Sequence, residues 1–201
     1  MVRRSTQRGR VKKFLFFDTE TTGKADFRAP ATAPQQPRLV QLAALLTDEA
    51  GDEVASVNLI IKPAGFEIPL AATEVHGIST EAALLSGVGV HHALALFVAL
   101  AERADALVAH NIQFDDLVMA SEAARFDYLM PDRRHFCTMN AMTPICRLPG
   151  RYNGFKWPSL MEAYRHCFRH EFVDAHDALA DVRACKAVFF WLKQNHPEAW
   201  V

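Results

Sequence analysis

The stretch Phe14 to Gly23, "FLFFDTETTG", constrains this chain more than any other. Four bulky apolar residues in succession read as a strand covered on both faces, because a half-exposed strand would alternate with polar residues. The run passes at once into two acids spaced by one, Asp18 and Glu20, and then into a Thr-Thr-Gly turn. Residues two apart on a strand leave the same face, so both carboxylates emerge together beside packed surface. Carboxylates placed there are partly desolvated, which is costly unless something positive is bound between them. The chain therefore needs a layered core with a cation site at the end of its first strand.

The remaining pattern supplies the layers. After this strand, expected over about Val11 to Thr19, the segment to Arg38 carries Pro30, Pro34 and Pro37 and reads as a loop. Two β-rich runs then flank Asp48 to Asp52, where Gly51 supplies a hairpin turn. Ser79 opens a short helix, and a stronger one follows with Leu94, Phe97, Val98 and Ala101 on one face. Ala106 to Ala109 is a short buried strand, followed by a helix from about Phe114 to Arg125 and a weak strand near His135 to Cys137. The stretch 148–158 reads as an irregular loop. Ser159 with Glu162 forms a capping box, and the last helix sets Ala178, Val182, Cys185, Phe189 and Leu192 at helical spacing. The order predicts an α/β domain with a mixed sheet, its first three strands antiparallel, flanked by helices.

At 201 residues, half of them apolar and 22% charged, the chain is long enough for one folded domain, expected over 13–201. A basic flexible arm is expected over 1–12. Arg3, Arg4, Arg8, Arg10, Lys12 and Lys13 fall within the first 13 residues without an acid, so the formal −1 leaves about −7 elsewhere. Such an arm suits nucleic acid or an acidic partner. The cysteines at 137, 146, 167 and 185 form no C-x-x-C pair and suggest a reducing compartment. Zinc at His166, Cys167 and His170 is disfavoured, because no second cysteine is near. No apolar run approaches membrane length, so a soluble, cytoplasmic protein without membrane contact is expected.

Two further segments push acids toward packed surface. In "AHNIQFDD" a buried strand gives way to a helix, and either Asp115 or Asp116 shares a face with apolar residues. In "DAHDALADV" Asp181 neighbours Ala178 and Cys185. Acids gathered without cations repel: one pair at about 4 Å costs ~4 kcal/mol at an effective dielectric of about 20. Oxygen-only ligation points to magnesium or manganese. His176, five before Asp181, lies about 140° away on an ideal helix, so it belongs on the entering loop. There an imidazole can take a proton from an attacking water. Phe17, Phe114 and Phe155 are candidates for stacking on bases, with core packing as the plainer role for Phe17. The run Phe189, Phe190 and Trp191 is a candidate docking surface, again against plain core packing.

The three acidic segments stand in the order and spacing of a known family. "FFDTETTG", "HNIQFD" (His110 to Asp115) and "HDALAD" (His176 to Asp181), with "EVHGIS" at Glu74 to Ser79, resemble the DEDDh 3'-5' exonucleases, which include the proofreading epsilon subunit of bacterial DNA polymerase III and RNase T. The resemblance covers about 12–193. It implies an RNase H-like fold with a five-stranded mixed sheet. It implies Asp18, Glu20, Asp115 and Asp181 as ligands of two Mg2+ or Mn2+ ions, choosing Asp115 over Asp116, and His176 as general base. Thr21 and His76 are implied beside the terminal nucleotide; the epsilon subunit has an acid five residues before that histidine, where this chain has Ala71. The implied activity is release of 5'-mononucleotides from the 3' end of DNA, in repair, processing or proofreading. The expected partner is a single-stranded 3' end, with a DNA polymerase or a second copy of the chain as further partners. The same residues suit an exoribonuclease trimming short RNA, and a non-catalytic nucleic-acid-binding or polymerase-docking module is the third reading.

Overall fold

A computed structural model describes residues 12–151 and 154–200. The arm expected over 1–12 lies outside the described residues except for Lys12. Three strands come first, β1 (Phe14–Thr21), β2 (Leu39–Thr47) and β3 (Glu53–Ile60). Helices α1 (Leu70–His76), α2 (Thr80–Ser86) and α3 (Val90–Ala101) follow. Next are β4 (Ala106–Ala109), α4 (Ile112–Arg125), β5 (Arg134–Cys137) and α5 (Thr138–Cys146). The chain closes with α6 (Leu160–Phe168), α7 (Ala178–Asn195) and a 3-10 turn at Pro197–Trp200. The sheet order is β3-β2-β1-β4-β5, antiparallel across the first three strands and parallel across the last three. This is the mixed five-stranded sheet expected, with β1 at its centre.

The apolar run explains that position. Leu15 and Phe17 enter one layer with Phe97, Val118 and Met119, while Phe14 and Phe16 enter the other with Val182 and Phe189. The rings meet edge on, Phe17 to Phe97 at 5.1 Å and Phe16 to Phe189 at 5.3 Å. Each buried side chain contributes about 1.5–3 kcal/mol, which only a strand covered on both sides collects from all four residues. Two candidate roles are thereby corrected. Phe17 is core and out of reach of a base, and Phe189, at 0% exposure, packs inward, leaving no continuous docking face on its run.

The geometry of the site follows from unequal strand lengths. β2 accompanies β1 as far as Thr21, but β4 pairs only with Phe14 to Phe16. Beyond Phe16 the β4 side of β1 lies open, and there the chain turns through Asn111, in the left-handed region at φ 72°, into α4. A crevice of this kind, at the carboxyl ends of strands where connections diverge, is where α/β sheets place ligands. The proline-rich loop is fastened beside it. Buried Glu122 of α4 accepts from Arg38 Nε at 2.8 Å, Arg125 Nη1 at 3.2 Å and the Leu39 amide at 3.0 Å.

Boundaries differ modestly from expectation: β1 runs two residues further, and α4 begins two residues earlier. Two helices lacked a readable signal. α1 has no buried residue and no side-chain cap, so it has no apolar stripe. α5 contains Pro144, which argues against a helix in sequence. The hairpin turn forms as read: Gly51 has φ +98°, and a Cβ there would meet the Phe190 ring at 3.1 Å.

Candidate active site

Asp18 and Glu20 leave β1 on the α7 side, where the N-terminal turn of α7 brings Asp181. Asp115, in the first turn of α4, reaches the same space across the open flank of β1. The four carboxylates, with His110, Phe114 and His176, line a cavity of about 390 Å³. Within it single ligand atoms of Glu20, His176 and Asp181 lie within 4.8 Å of one another. Thr19 holds Asp115 in place, its amide donating to Oδ1 at 3.0 Å and its hydroxyl at 2.8 Å. The adjacent Asp116 faces elsewhere: its carboxylate lies 3.8 Å from His135 Nε2 and is 43% exposed.

Among the described residues, no lysine or arginine lines this acidic cavity. Burial, reinforced by Asp115, Asp181 and Glu20, pushes Asp18 well above the usual carboxylate range. Glu20 is pushed up to about 8, by burial first and then by Asp181, Asp115 and Asp177. Burial raises Asp115 to about 7, against the two hydrogen bonds from Thr19 that pull it down. Asp181 rises to about 6, again chiefly by burial, offset in part by the His176 amide. Oxygen donors held close in a protonation-favouring site fit hard divalent cations, which would restore the ionised state.

His176 sits on an exposed loop entering α7, with φ 71°, and Asp174 two residues earlier has φ 60°. Its amide donates to Asp181 Oδ2 at 3.2 Å, which fixes the loop to the acid while the ring stays at the cavity. Asp177 caps α7, its Oδ1 accepting from the amides of Leu179 and Ala180 at 3.1 and 3.0 Å. The other histidine of the cavity is engaged on both sides. His110 Nδ1 lies 3.0 Å from Thr138 Oγ1 and Nε2 2.9 Å from the Pro158 carbonyl, and burial lowers its pKa.

A second cavity, of about 320 Å³, shares Glu20 with the first and is lined by Thr21, Gly23, Lys24, Ala71, Val75 and His76. His76 Nδ1 accepts from the Ile78 amide at 3.1 Å, so the proton of the neutral ring belongs on Nε2. That Nε2 is buried without a hydrogen-bond partner. Burial lowers the pKa of this ring, with the nearby Thr21 main chain opposing. The ring thus lines the cavity with its carbon edge, its Nε2 closed off beside the Thr21 main chain.

Asp18, Glu20, Thr21, His76, Phe114, Asp115, His176 and Asp181 thus line one of two adjoining cavities, whereas Phe17 and Phe155 line neither. Among the described residues no metal-holding cluster forms around Cys167. Sequence reasoning passed over Thr19, Asp177 and Leu160. The first has an ordinary strand role and the last an ordinary helix-start role, but Asp177 just before a helical repeat was readable as a cap.

Known proteins resemble this chain in family, sequence and fold. The exonuclease family model of the RNase T type matches residues 15–189. An uncharacterized exonuclease, CP81, of Escherichia phage 186 is 31% identical over 189 residues, 87% of each chain. E. coli exonuclease I, solved with zinc and single-stranded DNA, is 25% identical with a TM-score of 0.73, over 94% of this chain and 42% of the other. Exonuclease I with a dA16 oligonucleotide is 24% identical, with the same coverages and a TM-score of 0.73. This chain thus spans about two fifths of the exonuclease I chains it matches.

Proposed function

From the premise that the chain belongs to the exonuclease family of the RNase T type, the DEDDh 3'-5' exonucleases, we propose that it hydrolyses DNA from the 3' end and releases 5'-mononucleotides. The observation that carries this reading is the quartet Asp18, Glu20, Asp115 and Asp181 facing one cavity with His176 at its rim. Single-stranded DNA as substrate draws support from the exonuclease I complexes with DNA.

In this reading the four carboxylates hold two Mg2+ or Mn2+ ions. When bound, the ions supply positive charge that offsets the charge developing on the scissile phosphate and ease ionisation of the attacking water. His176 accepts the proton of that water and, being exposed, returns it to solvent. The water oxygen bonds to phosphorus as the bond to the 3' oxygen of the penultimate nucleotide breaks, and that oxygen takes up a proton. Thr21 and His76 flank the terminal nucleotide in the 320 Å³ cavity. Phe114 lies against the adjoining sugar or base.

The test is digestion of 5'-labelled and 3'-labelled single-stranded DNA, duplex DNA and RNA with magnesium or manganese. The 5' label should yield a ladder shortening from the 3' end, and the 3' label should leave at once as a mononucleotide. Internal cuts, a ladder from the 3' label, or full activity in EDTA would overturn the proposal. Faster digestion of RNA than DNA would move the substrate to RNA.

A further inference from the structure

The segment 147–159 carries Arg147, Arg151 and Lys156 and no acid, beside a site crowded with acids. Two of its aromatics face water: Trp157 is 69% exposed and Phe155 52%. Large rings left in water on a fastened turn call for a partner. The turn is fastened at its base by a bridge between Pro149 and Phe155, by the Gly150 amide donating to Gly154 O at 2.9 Å, and by the Lys156 amide donating to Leu148 O at 3.0 Å. A Cβ on Gly150 would meet Gly154 O at 2.7 Å, so the two sides cross too closely for another residue. Next to Trp157, the Pro158 carbonyl receives His110 Nε2, and two residues further Leu160 lines the acidic cavity. Ser159 and Glu162 close a capping box there, with Lys156 Nζ 2.6 Å from Glu162 Oε1.

The two cavities meet at Glu20, whereas Leu160 and His110 line only the acidic one. A strand whose last nucleotide fills the smaller cavity, with its scissile phosphate among the acids, leaves on the Leu160 side. We infer that Trp157, with Phe155, is the stacking platform for the bases just 5' of the scissile bond, an inference that rests on the exonuclease reading. Aromatic faces take any base, and Arg147 and Arg151 of the segment suit the phosphates that accompany it. Trp157 is thus a positioning residue that governs affinity for longer strands and leaves the chemical step alone.

Kinetics of Trp157→Ala and Trp157→Phe on a fifteen-residue oligothymidylate, beside the p-nitrophenyl ester of thymidine 5'-phosphate, test this. The ester offers no upstream base. Trp157→Ala should raise KM for the oligonucleotide roughly 5- to 150-fold, the range of one stacked base, with kcat within about twofold. Its rate on the ester should match wild type, and Trp157→Phe should recover most of the loss. An unchanged KM in Trp157→Ala, or a parallel fall on both substrates, would overturn the platform. A wild-type protein inert on both with magnesium or manganese would instead overturn the exonuclease reading beneath it.

Discussion

Thr19 and Asp115 show why an acid can be buried at 2% exposure yet remain available. Two donors from Thr19 occupy one carboxyl oxygen and leave the other for the cavity. The acids of the quartet were legible because each stands where sequence logic wants an apolar residue, and Thr19 was not, because threonine belongs in any strand. Asp18→Asn removes one charge from a mutually repelling set. It should abolish nuclease turnover while raising the melting midpoint in EDTA at pH 8 by a few degrees, about 1 kcal/mol at this chain size. An activity assay beside a thermal melt checks both. His176→Ala should lower kcat about 10²- to 10⁴-fold and leave cation affinity by calorimetry near wild type. A matching loss of affinity would make His176 a ligand, a role its 4.8 Å grouping with Glu20 and Asp181 also permits.

Among elements, those that bury a face were readable and those that do not were hidden. The β2–β3 hairpin and α7 follow from alternation and helical spacing, whereas α1 projects Leu70 at 73% exposure and offers no pattern to read. Helix α5 follows β5 without a linker and contains proline, so nothing in the sequence separates it from a loop. The junction of α4 with the proline-rich loop was invisible because Glu122 and Arg38 are 84 residues apart. Its energetic weight is testable. Glu122→Ala leaves Arg38, Arg125 and the Leu39 amide without their shared acceptor and should cost ~3 kcal/mol in urea unfolding. Faster proteolysis within residues 22–38 should accompany it.

For the whole molecule, the acidic cavity makes stability depend on pH with an unusual sign. Folding raises Glu20 from 4.5 to about 8, Asp115 from 3.8 to about 7 and Asp181 from 3.8 to about 6. Between about pH 4 and pH 8 the folded chain therefore binds more protons than the unfolded one, and stability falls as pH rises through that window. In EDTA the melting midpoint should drop from pH 5 to pH 8, and magnesium should raise it more at pH 8 than at pH 5. A flat profile in EDTA would contradict the clustering of these acids.

The central strand leaves no slack. β1 is paired with β2 from Phe14 to Thr21 and with β4 at Phe14 to Phe16, so its phase is fixed from both sides. One extra residue before Asp18 would turn both acids toward α4 and present Thr19 and Thr21 to Asp181 instead. A single-codon insertion there keeps the gene in frame but puts the protein out of phase, while the same insertion in a surface turn passes unnoticed. The lineage of this chain can drift in composition along β1, but hardly in length.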